Sequence, residues 1–363
     1  MNQTNRIMGS GYMEWVKTNS HAAFNLANSG VKNYPISGLP VDFSSLVLSG
    51  PGAYGYTPLV KAIAAKCRVN EDCVATAQGT SMANLLAMAA TIERGDEVLI
   101  ERPTYPLLSE TAQYLGAAVK YFNRSPEASF AIDVDEIERS MTSRTRMLVL
   151  TNLHNPSCAY TNEATLRRVG DLAKSAGARV LIDEVYLDLL FEDGPETAFK
   201  LGPEFIVTNS LTKVYGLSGL RCGWVLAEPD LVRQMYRLND LFYVNPPHVT
   251  DQLSCIALAH LETIARWSRQ LLDTNRALAN EFIVSTPGII SEPLKAGTVL
   301  FPRIDAPVSE FCSFLREHYD TVVTPGHFFG APERIRIGIG GDTTLLAEGL
   351  SRVHDALREM GAR

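Results

Sequence analysis

The sequence predicts an α/β protein, with a mostly parallel sheet in a large domain and a smaller α+β domain toward the C-terminus. Three observations carry this prediction. Short, near-continuous apolar runs recur from about residue 70, helical stretches separate them, and the pattern changes after Trp224. Strands buried on both faces read as unbroken apolar runs, and intervening helices supply the crossovers that parallel neighbours need.

The elements follow in order. Val74-Ala75-Thr76 leads through Gln78-Gly79-Thr80-Ser81 into an apolar helical stretch, Met82 to Ile92. Val98-Leu99-Ile100 leads through Pro103-Thr104-Tyr105 into another. Met147 to Leu150, Val180-Leu181-Ile182, Phe205-Ile206-Val207 and Gly223-Trp224-Val225-Leu226 complete the series. In such sheets ligands gather at the carboxyl ends of the strands. Gln78 to Ser81, Asn155, Asp183 and Ser210 to Lys213 should therefore converge.

Beyond Trp224, Asn245-Pro246-Pro247-His248 interrupts the chain, and a long helical stretch runs from about Val249 to Phe282. A final amphipathic helix places Leu346, Leu350, Val353 and Leu357 on one face. The expected division is an extended arm over residues 1–45 packing with the small domain, a large domain over 46–248, and a small domain with its connecting helix over 249–363.

Composition narrows the function classes. The 363 residues are 46% hydrophobic and 20% charged with net charge -7, which argues against a nucleic-acid partner. The six cysteines form neither a C-x-x-C pair nor a cluster with histidines, so no metal site is expected, and reduced thiols suit a cytoplasmic protein. The longest apolar run, Leu85 to Ile92, is broken only by Thr91 and is too short to span a membrane. The opening residues lack the layout of a secretory signal.

The chemistry centres on Ser210-Leu211-Thr212-Lys213. A lysine at a strand end is partly withdrawn from water, which lowers its pKa and favours the neutral amine that attacks an aldehyde. Gly216, Gly219 and Gly223 surround Arg221 and let the backbone fold tightly, so its planar fork can meet a phosphate beside the lysine. Ser210 and Thr212 add hydroxyl donors. Gly79-Thr80-Ser81 opens a helix whose free N–H groups suit an anion, although taken alone those three residues are better accounted for by a plain N-cap. Asp183, with Tyr186 three residues on, is a carboxylate that needs a cation such as a protonated pyridine nitrogen. Asn155-Pro156 offers an amide donor to a phenolate oxygen, and Tyr105 offers a ring that can stack on a planar ligand. Each segment alone has a bland structural reading; their combination is what points to chemistry.

Together these residues resemble the fold-type I pyridoxal-phosphate enzymes, specifically the class I/II aminotransferase family. The order and spacing of Asn155, Asp183, Tyr186, Ser210, Lys213 and Arg221 agree with the family pattern, and the resemblance extends from about Leu46 to the C-terminus. It implies pyridoxal 5'-phosphate held by Lys213 as a Schiff base, with Lys213 also shuttling the substrate proton. It implies Asp183 on the ring nitrogen, Asn155 and Tyr186 on the ring hydroxyl oxygen, and Tyr105 stacked on the ring. Gly79, Thr80, Ser81, Ser210, Thr212 and Arg221 would cradle the phosphate. Arg336, in Arg334-Ile335-Arg336-Ile337-Gly338, resembles the arginine that grips the substrate α-carboxylate, and Gly30 the residue that offers substrate a backbone contact. In the family a tyrosine of the neighbouring subunit reaches the phosphate; Tyr54 or Tyr56 matches, with Tyr54 preferred, which implies a homodimer with shared active sites.

The sequence also departs from the family. Asn155-Pro156-Ser157-Cys158-Ala159 lacks the usual glycine, and no basic residue for a second substrate carboxylate is evident beyond His154 and His248. The expected activity is amino transfer between an L-amino acid and a 2-oxo acid. The same residues leave open a C–S lyase, a decarboxylase, a cyclase or, remotely, a non-catalytic regulator.

Overall fold

The computed structural model describes residues 7–19 and 21–361. Seven strands form the central sheet: β1 (Val74–Gln78), β2 (Glu97–Arg102), β3 (Ala118–Asn123), β4 (Thr145–Thr151), β5 (Arg179–Asp183), β6 (Phe205–Ser210) and β7 (Cys222–Leu226). Their order across the sheet is β1-β7-β6-β5-β4-β2-β3. Strands β2 to β6 pair in parallel, while β7 runs antiparallel to both β1 and β6. That reversal is decisive for the site. It brings the start of β7, and Arg221 just before it, to the edge where β1 and β6 end: Gln78 lies opposite Cys222, and Ser210 opposite Gly223.

Every residue of β4 except Arg146, and of β5 except Arg179, is buried, as expected for strands covered on both faces. One apolar cluster joins Leu148, Val180, Val207 and Trp224 to helices α2 (Thr57–Cys67) and α6 (Glu163–Ser175). The other face packs Val149, Leu181 and Ile206 against α3 (Gly79–Ala89), α4 (Pro106–Tyr114) and α7 (Pro229–Asn239). A separate cluster gathers Phe282, Phe311, Ile337 and Val353 around three helices, α9 (Leu261–Ser285), α10 (Val308–Tyr319) and α11 (Thr343–Gly361). Between them runs a small antiparallel sheet of β8 (Val299–Leu300), β9 (Thr324–Pro325) and β10 (Ile335–Gly338).

Two expectations need correction. The first segment is not wholly extended: α1 (Gly11–Thr18) starts at Ser10, whose hydroxyl accepts from the Met13 N–H. Tyr12 on that helix is buried against Phe328 and Phe329, so packing stabilises a helix too short to stand alone. The long helical stretch is in fact two helices, α8 (His248–Ala259) and α9, separated at His260, whose backbone leaves the helical region.

Below the sheet edge lies a fully buried ion pair. Arg124 Nη1 donates to Glu101 Oε2 at 2.7 Å, and Glu101 Oε1 accepts from the Thr151 N–H at 2.7 Å. Thr151 Oγ1 in turn accepts from the Asn155 N–H at 2.9 Å, so the pair braces the Asn155 loop. Arg124→Met leaves a buried carboxylate unpaired and is expected to cost about 3–5 kcal/mol in urea unfolding. Adding Glu101→Leu should recover part of that loss; a single variant within about 1 kcal/mol of wild type would show the pair to be dispensable.

Candidate active site

The carboxyl ends of the parallel strands open on a cavity of about 230 Å³, lined by Thr80, Ser81, Asn84, Tyr105, Asn155, Asp183, Tyr186, Thr212, Lys213 and Arg221, with Met13 and Leu107 among the others. Most of the residues singled out in the sequence therefore do meet in space. Strand β5 delivers Asp183, which is buried. Burial raises its pKa to about 6, against the pull of hydrogen bonds from Asn84 and Val185. Asn84 Nδ2 donates to Asp183 Oδ2 at 2.9 Å, while Asn84 Oδ1 accepts from the Thr208 hydroxyl at 2.6 Å. A cation placed at this carboxylate would favour its charged form.

Strand β6 delivers Lys213. Its Nζ donates to Ser29 Oγ at 3.0 Å, and burial together with the charge of Arg336 lowers its pKa to about 8. Gly30 lies along the lysine stem, where an added Cβ would sit 3.4 Å from Lys213 Cδ. The Gly30 N–H is donated to Asn28 Oδ1 at 3.1 Å, so Ser29 is the arm residue that touches the amine. The Ser29 carbonyl accepts from the Tyr186 hydroxyl at 3.0 Å.

At the other end of the cavity α3 begins. Gly79 has φ +76, and a Cβ there would fall 2.3 Å from Arg221 Nη2, so only glycine allows the guanidinium this close. Thr80 Oγ1 donates to Ser210 Oγ at 2.8 Å, which also accepts from the Thr212 N–H at 3.3 Å. The Thr212 hydroxyl is buried without a partner. A helix N-terminus, an arginine and an unsatisfied hydroxyl fit a phosphate.

Arg336 sits on β10, fully buried, with Cζ 4.7 Å from the Phe329 ring centroid. Its Nη1 donates to Asn155 Oδ1 at 3.2 Å, which turns the Asn155 amide N–H groups elsewhere, and its Nε has no partner. An unsatisfied guanidinium N–H in a dry site is suited to a carboxylate.

Other residues lie outside the cavity lining. Tyr54 is exposed and donates to Asp240 Oδ2 at 3.0 Å. His154 is buried, bridging Ser157 Oγ and the Pro103 carbonyl, and burial keeps its pKa well below the ordinary value, hence neutral. His248 instead packs edge-on against Tyr56. Neither histidine stands in for a second carboxylate-binding group in this chain's own cavity. Cys158 takes the left-handed conformation, φ 61, at the position where glycine was missed, so the turn keeps a glycine-like backbone without glycine. A larger cleft of about 910 Å³, lined by Phe130, Cys158 and Arg334, lies apart from these groups. Among the described residues no cluster of three or more His, Cys, Asp or Glu could hold a metal, and no helix is long and apolar enough to cross a membrane.

Sequence reasoning missed Asn84 and Ser29. Asn84 had a signal: a polar residue one turn after Thr80 in an otherwise apolar helix, on the face that meets the sheet. Ser29 had none beyond its neighbour Gly30.

This arrangement, on this sheet, defines a fold-type I pyridoxal-phosphate enzyme. The family model for aminotransferase class I and II matches residues 45–353, and the chain belongs to that family. Capreomycidine synthase of Streptomyces vinaceus is 28% identical over 93% of this chain and 90% of its own length. Aspartate aminotransferase of Streptomyces avermitilis is 24% identical over 91% and 88%. The crystal structure of a PLP-dependent aminotransferase from Streptococcus suis superposes with a TM-score of 0.91 at 25% identity, covering 98% of each chain. The protein is accordingly a pyridoxal-phosphate-dependent aminotransferase by family.

Two outcomes follow from the geometry. The apoenzyme should take up pyridoxal phosphate covalently at a rate that rises with pH and levels off above about 8, since the Lys213 amine is protonated below that value. A rate still climbing toward about 10.4, where an ordinary lysine titrates, would contradict this. Asn84→Leu removes a donor to a charged group, worth about 1.5 kcal/mol, and should weaken cofactor affinity roughly tenfold in equilibrium dialysis.

Proposed function

We propose that the enzyme moves the α-amino group of an L-amino acid to a 2-oxo acid, using Lys213 as covalent anchor of the cofactor and carrier of the substrate proton. The observation that supports this best is the partly buried Lys213 amine, its pKa lowered to about 8, in one cavity with Asp183 and beside the carboxylate-ready Arg336. When bound, pyridoxal phosphate supplies an electron sink for the carbanion left at the substrate Cα.

The chain's own residues do the rest. Asp183 would hold the ring nitrogen protonated, Asn155 and Tyr186 would bond the ring hydroxyl oxygen, and Tyr105 would pack on the ring. Gly79, Thr80, Ser81, Ser210, Thr212 and Arg221 would hold the phosphate. Arg336 would fix the α-carboxylate so that the Cα–H bond faces Nζ of Lys213, which would hold and move that proton. Gly30, beside the lysine stem, would offer substrate a backbone contact. Among the described residues the cations lining the cavity are Lys213 and Arg221, and Met13 and Leu107 face it, which favours a donor without a second carboxylate.

The working unit is a homodimer in the cytoplasm. Val47, Leu48, Leu241, Phe242 and Val244 are exposed, and the two segments that carry them adjoin through Gln252, Val47 and the Tyr54–Asp240 bond. That patch suits a second copy, with Tyr54 reaching across to the neighbour's phosphate. All six cysteines are free, in keeping with a reducing compartment. The division into an arm over 1–45, a large domain over 46–248 and a small one over 249–363 draws support from the separate cluster around Phe311, Ile337 and Val353, although Val31, Leu39, Ala257, Ile264 and Leu272 pack with the large sheet.

A second reading, an intramolecular cyclisation or elimination on the same residues, is favoured by the relative named capreomycidine synthase. Single L-amino acids added to the holoenzyme without acceptor separate the two. Transfer predicts loss of the visible absorbance with one 2-oxo acid released per site. Return of the absorbance, with either a cyclised product or a 2-oxo acid released together with ammonia over repeated turnovers, would establish the second reading. Lys213→Ala should abolish the mass increment that borohydride reduction leaves on the holoenzyme; an unchanged increment would overturn the assignment of the anchor.

A further inference from the structure

The substrate carboxylate is expected at Arg336, yet the guanidinium is already heavily engaged. Nη2 donates to Tyr12 Oη at 2.8 Å and to the Ala27 carbonyl at 3.2 Å, so both of its hydrogens have partners. Nη1 gives one hydrogen to Asn155, and Nε gives none. The end-on fork that usually meets a carboxylate needs a hydrogen from each terminal nitrogen. Here one tine is occupied by a phenol. That phenol accepts from Arg336 and keeps its own O–H, for which no acceptor is seen among the described residues.

Tyr12 is held firmly in this position. It is buried, 5% exposed, with its ring edge-on to Tyr105 at 5.9 Å and to Phe328 at 5.6 Å, and tilted against Phe329 at 5.8 Å. Its neighbour on α1, Met13, lines the cavity. A phenol polarised by a cationic donor is a stronger donor itself.

We infer that Tyr12 is a substrate-binding residue: its O–H, relayed from Arg336 Nη2, supplies the second hydrogen bond to the α-carboxylate beside Nη1 of Arg336. Helix α1 thereby makes the enzyme select amino acids over simple amines. The inference rests on the reading of Arg336 as the carboxylate grip.

The test uses the holoenzyme and its Tyr12→Phe and Arg336→Gln variants, with an amino-acid donor and the matching amine that lacks the carboxylate. Tyr12→Phe preserves the ring contacts, and the visible absorbance of the bound cofactor reports an intact site. The expected result is a roughly tenfold rise in KM for the amino acid with kcat changed less than about threefold, and a KM for the amine moved less than about twofold. Arg336→Gln should show the same discrimination with a larger effect. If Arg336→Gln discriminates and Tyr12→Phe does not, Tyr12 is only a packing residue and the inference falls alone. If neither variant separates amino acid from amine, the reading of Arg336 falls too.

Discussion

The close approach of Gly79 to Arg221 is the constraint on which the rest of the site depends. It exists because one strand of seven runs against its neighbours, which returns the chain to the sheet edge it has just left. The guanidinium then stands at the start of α3, where backbone N–H groups are unpaired, and Lys213 follows directly from the adjacent strand. Any side chain at residue 79 would push these apart. Arg221, Lys213 and Asp183 keep their spacing because they end, follow or precede hydrogen-bonded strands of one sheet.

Around that frame, electrostatics is set by withdrawal of water more than by ion pairing. Asp183 and Lys213 are both shifted toward their neutral forms by burial, and each only partly restored by the other. Asn84 matters in this balance because it supplies a neutral donor to the carboxylate without supplying charge. The buried Arg124–Glu101 pair works differently: it lies outside the cavity and acts through Thr151 on the placement of Asn155.

Much of this was legible in the sequence, for identifiable reasons. The sheet was visible because doubly covered strands are unbroken apolar runs, and Lys213, Asp183, Asn155 and Arg221 were visible because each follows or precedes such a run at a fixed spacing. Helix α1 was not, since its eight residues are stabilised by Phe328 and Phe329, more than three hundred positions away in the chain. The break at His260 was hidden because both flanking helices carry helical patterns. Ser29 was hidden because its contact with Lys213 depends on the arm's path alone. The turn at Cys158 was misjudged in the opposite sense: the glycine is missing, but the backbone still adopts the conformation glycine would favour.

The contact between Tyr12 and Arg336 spans 324 positions of sequence. Residues 79 to 221, which supply all of the cavity lining but Met13, are synthesised well before Arg336 emerges. A growing chain can therefore close this cavity before Arg336 is made, and Tyr12 meets its partner only after that. The cavity and the Tyr12–Arg336 contact are in this sense two successive stages of one assembly.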